Sequence, residues 1–341
     1  MKDIYILGIE TSCDETSASV VKNGKEDLGT VVLSQMDIHK DYGGVVPEIA
    51  SRHHVENITL VIEETLLKAK IKSENVSAVA VTYGPGLVGS LLIGLQAAKT
   101  LSLVWNKPLI AVHHIVGHIY ANNLETELKF PLVALVVSGG HTDLVYMKDY
   151  YHFETIGSTL DDAVGETYDK VAKVMGLDYP GGPIVDSLAF KGEDTYSLPI
   201  PLDDESYNFS FSGLKSAVIN LINKEKNKNQ KIINENLACS FQNRVIKILT
   251  KKTMRLLAER KVNNLILAGG VSANKGLREE FIKLCEEKNV NLKLPLLKYC
   301  TDNATMIATA GYFLYKKNKF SDLSLNPETN ISLERSMKLE K

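Results

Sequence analysis

Residues 3–21 read DIYILGIETSCDETSASVV and residues 131–147 read PLVALVVSGGHTDLVYM. In each stretch a short apolar strand runs into a polar turn and returns as a second strand. The first pair is Asp3–Glu10 with Ser17–Val21, joined by the acidic turn Thr11–Thr16. The second is Pro131–Val137 with Asp143–Met147, joined by Ser138–Thr142, which carries two glycines. Strand, polar turn and strand thus recur about 130 residues apart, centred on Cys13 and His141. Identity between the copies is poor, so the recurrence is one of architecture. Outward from the hairpins, helical patterns span Pro47–Lys70, Val88–Trp105, His114–Leu124, Asp161–Met175, Asn234–Arg260 and Ala304–Lys317. A glycine turn and helix run from Gly269 to Lys288, and further strands read at Val76–Thr82, Leu109–Val112, Tyr207–Phe211 and Asn264–Ala268. Asn223–Lys231 (NKEKNKNQK) reads as an exposed loop and the chain beyond Lys319 as a loose polar tail. The alternation predicts an α/β protein with mixed sheets in two hairpin-led lobes.

A chain of 341 residues is long for one core, which agrees with two domains. With 44% hydrophobic and 23% charged residues, the composition is that of an ordinary globular protein. Lys+Arg 39 against Asp+Glu 41 gives a net charge of −2, which excludes a strongly basic nucleic-acid coat but not a local patch for a folded RNA. No apolar stretch approaches the ~20 residues of a membrane span. A strand by residue 3 leaves no room for a signal peptide. Cys13, Cys239, Cys285 and Cys300 show no CxxC spacing. A reduced, cytoplasmic setting without a membrane partner is expected.

Three glycine turns bear on ligands. Gly84-Pro-Gly-Leu-Val-Gly89 follows a strand and opens a helix, but no Asp or Glu lies between Glu74 and Glu125 to hold a ribose. Ser90 stands where a P-loop needs its lysine, so these glycines are read as a packing turn. Val137-Ser-Gly-Gly-His-Thr142 fits an anion-facing turn, with Ser138 and Thr142 adding hydroxyls, and equally fits a plain hairpin turn. Gly269-Gly-Val-Ser-Ala-Asn274 would let a flat base approach the backbone, although a strand–turn–helix corner needs nothing more. Tyr179-Pro-Gly-Gly-Pro183 reads as a rigid turn, followed by Asp186 as a solvated first-turn acid.

His114 and His118 stand four apart in a helical segment, so both imidazoles share a face. That spacing suits one divalent cation, and it also suits two buried histidines; His113 points elsewhere. Ile115 sits where a zinc protease needs its glutamate, so HExxH is absent. Asp302, in Tyr299-Cys-Thr-Asp-Asn303, offers a third ligand or a helix N-cap. Glu10, Asp14 and Glu15 form an acidic turn, solvated or ligand-facing. Lys247, Lys251 and Arg255, with Lys252 beside them, stripe the long helix, either toward phosphates or as a solvated face.

Eight motifs in order then make a group: GIETSCDET at Gly8–Thr16, HHIVGH at His113–His118, VSGGHT at Val137–Thr142, GETYDK at Gly165–Lys170, YPGGP at Tyr179–Pro183, NFSFSGLKSA at Asn208–Ala217, AGGVSAN at Ala268–Asn274 and YCTDNA at Tyr299–Ala304. Over nearly its whole length the chain resembles the bacterial TsaD family of tRNA-modifying enzymes, formerly called glycoprotease. The resemblance implies the two-lobed fold of actin, Hsp70 and sugar kinases, each lobe an RNase H-like core. On it, lobes of 1–125 and 126–302 are expected, with a helix over 303–325 completing the first and a polar tail over 326–341.

The resemblance implies an acyltransferase that moves threonylcarbamoyl from threonylcarbamoyl-AMP to N6 of adenosine 37 in tRNAs reading codons that begin with A. It implies one divalent metal, iron(II) with zinc also compatible, on His114, His118 and Asp302. Contacts to the adenine nucleotide, threonylcarbamoyl-AMP or ATP, are implied at Val137, Ser138, Gly139, Gly140, His141, Asp169, Gly182, Asp186 and Asn274. The implied partners are tRNA, a TsaB-like paralogue and a TsaE-like ATPase, and the apolar helix Val88–Trp105 is a candidate dimerisation surface. Rival readings are a kinase of the same fold, a metalloendopeptidase and a nucleotide-gated scaffold.

Overall fold

A computed structural model describes residues 3–339. The chain divides into two units, the first taking residues up to Leu128, Tyr150–His152 and the chain from Pro295, the second Lys129–Asp149 and Phe153–Leu294. Unit 1 begins with β1 (Tyr5–Glu10), β2 (Glu15–Lys22) and β3 (Glu26–Ser34), then α1 (Met36–Lys40) and α2 (Pro47–Ala69). It continues through β4 (Ala78–Gly84), α3 (Val88–Trp105), β5 (Leu109–His113) and α4 (His114–Ala121). Unit 2 holds β6 (Leu132–Val137), β7 (Thr142–Met147), β8 (Phe153–Ser158), α5 (Val164–Val174), α6 (Gly181–Ala189), α7 (Ser212–Asn227), α8 (Asn234–Arg260), β9 (Asn264–Ala268), α9 (Lys275–Glu287) and β10 (Asn291–Lys293). The chain then returns to unit 1 as α10 (Ala304–Lys316) and α11 (Leu333–Leu339).

Each unit is built on a five-stranded sheet, ordered β3-β2-β1-β4-β5 in unit 1 and β8-β7-β6-β9-β10 in unit 2. In both, the first three strands form an antiparallel meander and the last two join in parallel. The paired hairpins of the sequence are therefore the opening strands of two sheets with one topology, the RNase H-like order expected of each.

Strand alternation sets the layers of unit 1. Leu7 and Ile9 join the core that α2 and α3 cover through Ile58, Val61, Ile62, Leu95 and Ala98. The intervening Gly8 faces α10, where a Cβ would stand 2.4 Å from the Ala304 carbonyl oxygen. Gly311 returns the contact, its missing Cβ lying 2.6 Å from that of Ala80. Helix and strand thus meet almost backbone to backbone. Pro47 opens α2 at a position whose N–H has no intrahelical partner, and Lys70 closes it in the left-handed region at φ 54°.

Several expectations shift. The segment 295–302 belongs to unit 1 rather than to the second lobe, and Tyr299 Oη ties it there by donating to Asp27 Oδ2 at 2.8 Å. The expected tail over 326–341 is not loose where it is described. Ile331 and Leu333 are buried, the Glu328 amide donates to the Tyr83 carbonyl at 2.8 Å, and the Gly86 amide donates to that of Thr329 at 3.3 Å. Glu340 and Lys341 lie outside the described residues. Tyr207–Phe211 is no strand but makes a single bridge from Phe209 to Thr159, and α7 runs to Asn227 through half of the expected loop. By length and composition α3 is apolar enough to cross a membrane, contrary to expectation, but Leu91, Leu95 and Ala98 on it are fully buried.

The β1–α10 contact yields a test. Gly8→Ala should destabilise the fold by about 1–3 kcal/mol, because backbone rather than a flexible side chain must give way. A thermal melt of the variant that matches the parent chain would refute the close approach.

Candidate metal centre and nucleotide loops

The metal-ligand candidates come together in unit 1. His114 and His118 lie on one face of α4, with ring centroids 4.7 Å apart, and Asp302 precedes α10. Ligand atoms of the three lie within 4.8 Å of one another. Asp302 Oδ1 is 3.0 Å from His118 Nε2 and 3.5 Å from His114 Nε2. A cation about 2.1 Å from two such atoms holds them roughly 3.0–3.4 Å apart at ordinary bond angles, so the spacing fits a metal. His118 Nδ1 is buried without a hydrogen-bond partner, which leaves Asp302 as the ring's polar neighbour. Asp302 is not the helix cap: Asn303 takes that place, its side chain accepting from the Met306 amide at 3.1 Å.

Burial alone would push the His114 imidazole down, but the Asp302 and Glu10 carboxylates outweigh it and raise its pKa well above the ordinary value. Burial likewise opposes ionisation of Asp302, and the His114 charge with hydrogen bonds from both histidines holds its carboxyl well below the usual range. Glu10, expected within an acidic turn, is instead the last residue of β1 and fully buried. Nearby, burial and Asp14 push the Cys13 thiol and the Glu15 carboxyl well up, so Cys13 is a poor thiolate.

The expected nucleotide contacts gather in unit 2. In the 138–141 turn the Ser138 amide donates to the His141 carbonyl at 2.9 Å, and the His141 amide donates to Ser138 Oγ at 3.1 Å. The amides of Gly139 and Gly140 donate to nothing among the described residues. Behind the turn, Gly165 at the start of α5 donates its amide to the Ser138 carbonyl at 3.1 Å. Val137 is buried at the end of β6, and its carbonyl approaches Gly269, which sits at φ 87°. A Cβ on Gly139, Gly140 or Gly270 would meet nothing within 4 Å, and one on Gly182 would meet only Tyr168 Cβ at 4.0 Å.

The polar side chains of the set shape this surface. Asp169 Oδ1 accepts from the Gly181 amide at 2.7 Å, and burial, opposed by the Gly181 and Gly182 amides, raises its pKa. Asp186, expected as a solvated acid, accepts from the Lys275 amide at 2.8 Å and from Gln242 Nε2 at 2.9 Å. Asn274 caps α9, accepting from the Leu277 amide at 2.8 Å and donating to Gln242 Oε1 at 2.9 Å. Tyr168 Oη donates to the same Gln242 oxygen at 3.2 Å. Gln242 is the residue that sequence reasoning missed, since a glutamine within a long helix carries no distinguishing signal.

The basic stripe of α8 is divided: Lys247 is exposed, as a solvated face would have it, and the other three cations are paired. Lys251 pairs with Asp203 and Arg255 with Glu205. Lys252 is buried and donates to Asp204 and to the carbonyls of Ser206 and Asn208. These cations hold the acidic segment 203–208 and are not free for phosphates. The glycines of the 84–89 turn do pack: Cβ atoms there would stand 2.0 Å from the Glu328 carbonyl oxygen, 2.6 Å from that of Ser12 and 2.2 Å from Ser51 Oγ.

The sequence profile of the TsaD family, tRNA N6-adenosine threonylcarbamoyltransferase, matches residues 26–309. A Staphylococcus aureus (strain JH9) protein of that name is 59% identical over 334 residues, covering 98% of both chains. The chain belongs to the TsaD family. Among solved structures, component A of the Acidaminococcus fermentans (R)-2-hydroxyglutaryl-CoA dehydratase covers 92% of this TsaD-family chain and 98% of its own, at 16% identity and a TM-score of 0.53. Full-length HypF in a phosphate- and nucleotide-bound form covers 93% of this chain and 47% of its own, at 15% identity and a TM-score of 0.60. At those identities the likeness is one of fold, the actin, Hsp70 and sugar-kinase class.

The open glycines of this TsaD-family chain are testable apart from the fold. Gly139→Ala should leave the melting temperature unchanged yet weaken adenine-nucleotide binding about tenfold, by displacing amide hydrogen bonds to a charged group. Calorimetric titration with AMP or ATP reads the affinity; unchanged binding would remove the turn from the site.

Proposed function

We propose that this TsaD-family transferase is a metal-assisted acyltransferase that moves the threonylcarbamoyl group of threonylcarbamoyl-AMP to N6 of adenosine 37 in tRNAs reading codons that begin with A. The observation that carries the reading is the His114–His118–Asp302 set, two buried histidines and a part-exposed aspartate, at metal-ligand spacing in a chain of this family. Two imidazoles and a carboxylate suit iron(II) and zinc, and iron(II) is the reading taken. When bound, the metal supplies Lewis acidity at a carbonyl oxygen.

The exocyclic amine of adenine is a poor nucleophile, so the donor must carry a good leaving group. In the step proposed, N6 attacks the carbamoyl carbon, a C–N bond forms, and the C–O bond to phosphate breaks. AMP departs with the electron pair and N6 loses a proton. The free amides of Gly139 and Gly140 suit the donor's phosphate. Gly182 and Gly270 leave room for its nucleoside. Asp169, Asp186 and Asn274 act first by holding the loops, with Val137, Ser138 and His141 framing the turn.

tRNA is the acceptor, and a cytoplasmic complex with a TsaB-like paralogue and a TsaE-like ATPase completes the reading. Its support is twofold. Three of the four cations in the α8 stripe, Lys251, Lys252 and Arg255, are already paired, so the chain needs help with an RNA. Leu60 and Leu67 on α2 and Leu103 and Val104 on α3 are 62–78% exposed, an apolar face suited to a partner.

Reconstitution tests the proposal. Purified chain, the two partners, threonylcarbamoyl-AMP and unmodified tRNA should give threonylcarbamoyladenosine at position 37 by nucleoside mass spectrometry. His114→Ala and Asp302→Ala should each lower the rate more than about 100-fold. No product from intact donor would sink the transfer reading, and full activity in metal-depleted His114→Ala would sink the metal's role.

A further inference from the structure

Glu10 lies outside the ligand set, yet its carboxylate is fully buried and takes three donors. Oε1 accepts from the Ser12 amide at 2.6 Å. Oε2 accepts from Thr82 Oγ1 at 2.5 Å and lies 3.2 Å from His114 Nδ1. A neutral imidazole carries its proton on one nitrogen, and the partner of the other nitrogen decides which. Carboxylate oxygens cannot donate, and with Nε2, on the Asp302 side, given to a metal, the one proton of the neutral ring belongs on Nδ1, facing Glu10. Ser12 Oγ, also 3.2 Å from Nδ1, does not alter this: donating to a bare Nδ1 would leave that nitrogen's lone pair facing Glu10.

We propose that Glu10 is a positioning residue that fixes the His114 tautomer, so that Nε2 presents its lone pair to the metal. The inference rests on the metal reading above. Nε2 is the ring atom on the Asp302 side, 3.5 Å from Oδ1. Glu10 reaches the ring from the end of β1 and is itself oriented by β4 through Thr82 and by the backbone of Ser12. Such carboxylate–histidine–metal chains orient the ring and raise its basicity, and losing the carboxylate costs about 10–100-fold in metal affinity.

Glu10→Gln separates this role from packing. The glutamine must keep its oxygen toward the Ser12 amide, because an NH2 there would face another donor. Its NH2 then faces Thr82 Oγ1, which can rotate to accept, and His114 Nδ1, which must give up its proton. The ring proton moves to Nε2 and blocks the ligand atom. Competition with a chromogenic chelator should show zinc binding weakened about 10–100-fold in Glu10→Gln. In 15N-histidine NMR of the zinc-loaded parent chain, His114 should carry its proton on Nδ1. Thr82→Val, which keeps the carboxylate, should keep that signal and lose far less affinity.

Zinc bound through Nδ1 in the parent chain overturns the inference without any variant. So does parental affinity in Glu10→Gln, or an equal loss in Thr82→Val. A parent chain that takes up no zinc overturns the metal reading itself, and this inference with it.

Discussion

Asp302 reaches the histidines because α10 lies close against β1, with glycine on each side of the contact. It stands 184 residues beyond His118 in the chain, and nothing local joins them. The docking of α10 does: Gly8 and Gly311 let the backbones close, Ser17 Oγ accepts from the Ala304 amide at 2.9 Å, and Thr305 meets Thr30 at 2.6 Å between their hydroxyls. Asn303 then caps the helix, so the preceding aspartate leaves the backbone at a fixed point. A helix used to complete a sheet's packing also delivers Asp302 to the two histidines.

The charge balance of that centre explains why it tolerates burial. Isolated buried charges are costly, and removing one partner from a buried pair typically costs about 3–5 kcal/mol. Here Glu10 and Asp302 are held ionised by His114 between them, against the burial that opposes it. With both imidazoles neutral, two carboxylates carry a charge of −2, which one divalent cation cancels. Without the cation, His114 recovers part of that balance by holding a proton.

Much of the fold was legible because its signals are local. Val88–Trp105, Asn234–Arg260 and Asn264–Ala268 carry period and end signals of their own, and their bounds in the structure are those read from the sequence. β3 was not, since it is an edge strand whose residues are mostly half-buried or exposed, with only the short apolar run Val31–Leu33. α7 was obscured by its charged end, where Lys224, Glu225 and Lys226 continue a helix into solvent. At the candidate metal centre, the i, i+4 histidines were legible as a pair, but the meeting with Asp302 is set by topology. Asp186 and Asn274 show a deeper limit: a side chain that caps a helix and one that binds a sugar have the same chemistry. Only the partner tells them apart.

Glycines make the same point in reverse. Along the chain, GPGLVG, SGGH and AGGV look alike, each a turn beside a strand. In the fold they separate by what fills the place of the missing Cβ. Gly84, Gly86, Gly89 and Gly269 are pressed by neighbouring atoms, and Gly86 and Gly269 also take a positive φ. Gly84, Gly86 and Gly269 meet backbone there and are required by the protein itself, whereas Gly89 meets only the Ser51 side chain. Gly139, Gly140 and Gly270 face open space at backbone angles that side chains can adopt, so neither packing nor conformation demands a glycine there. The amides of Gly139 and Gly140, which donate to nothing among the described residues, are what the proposed phosphate contact would use.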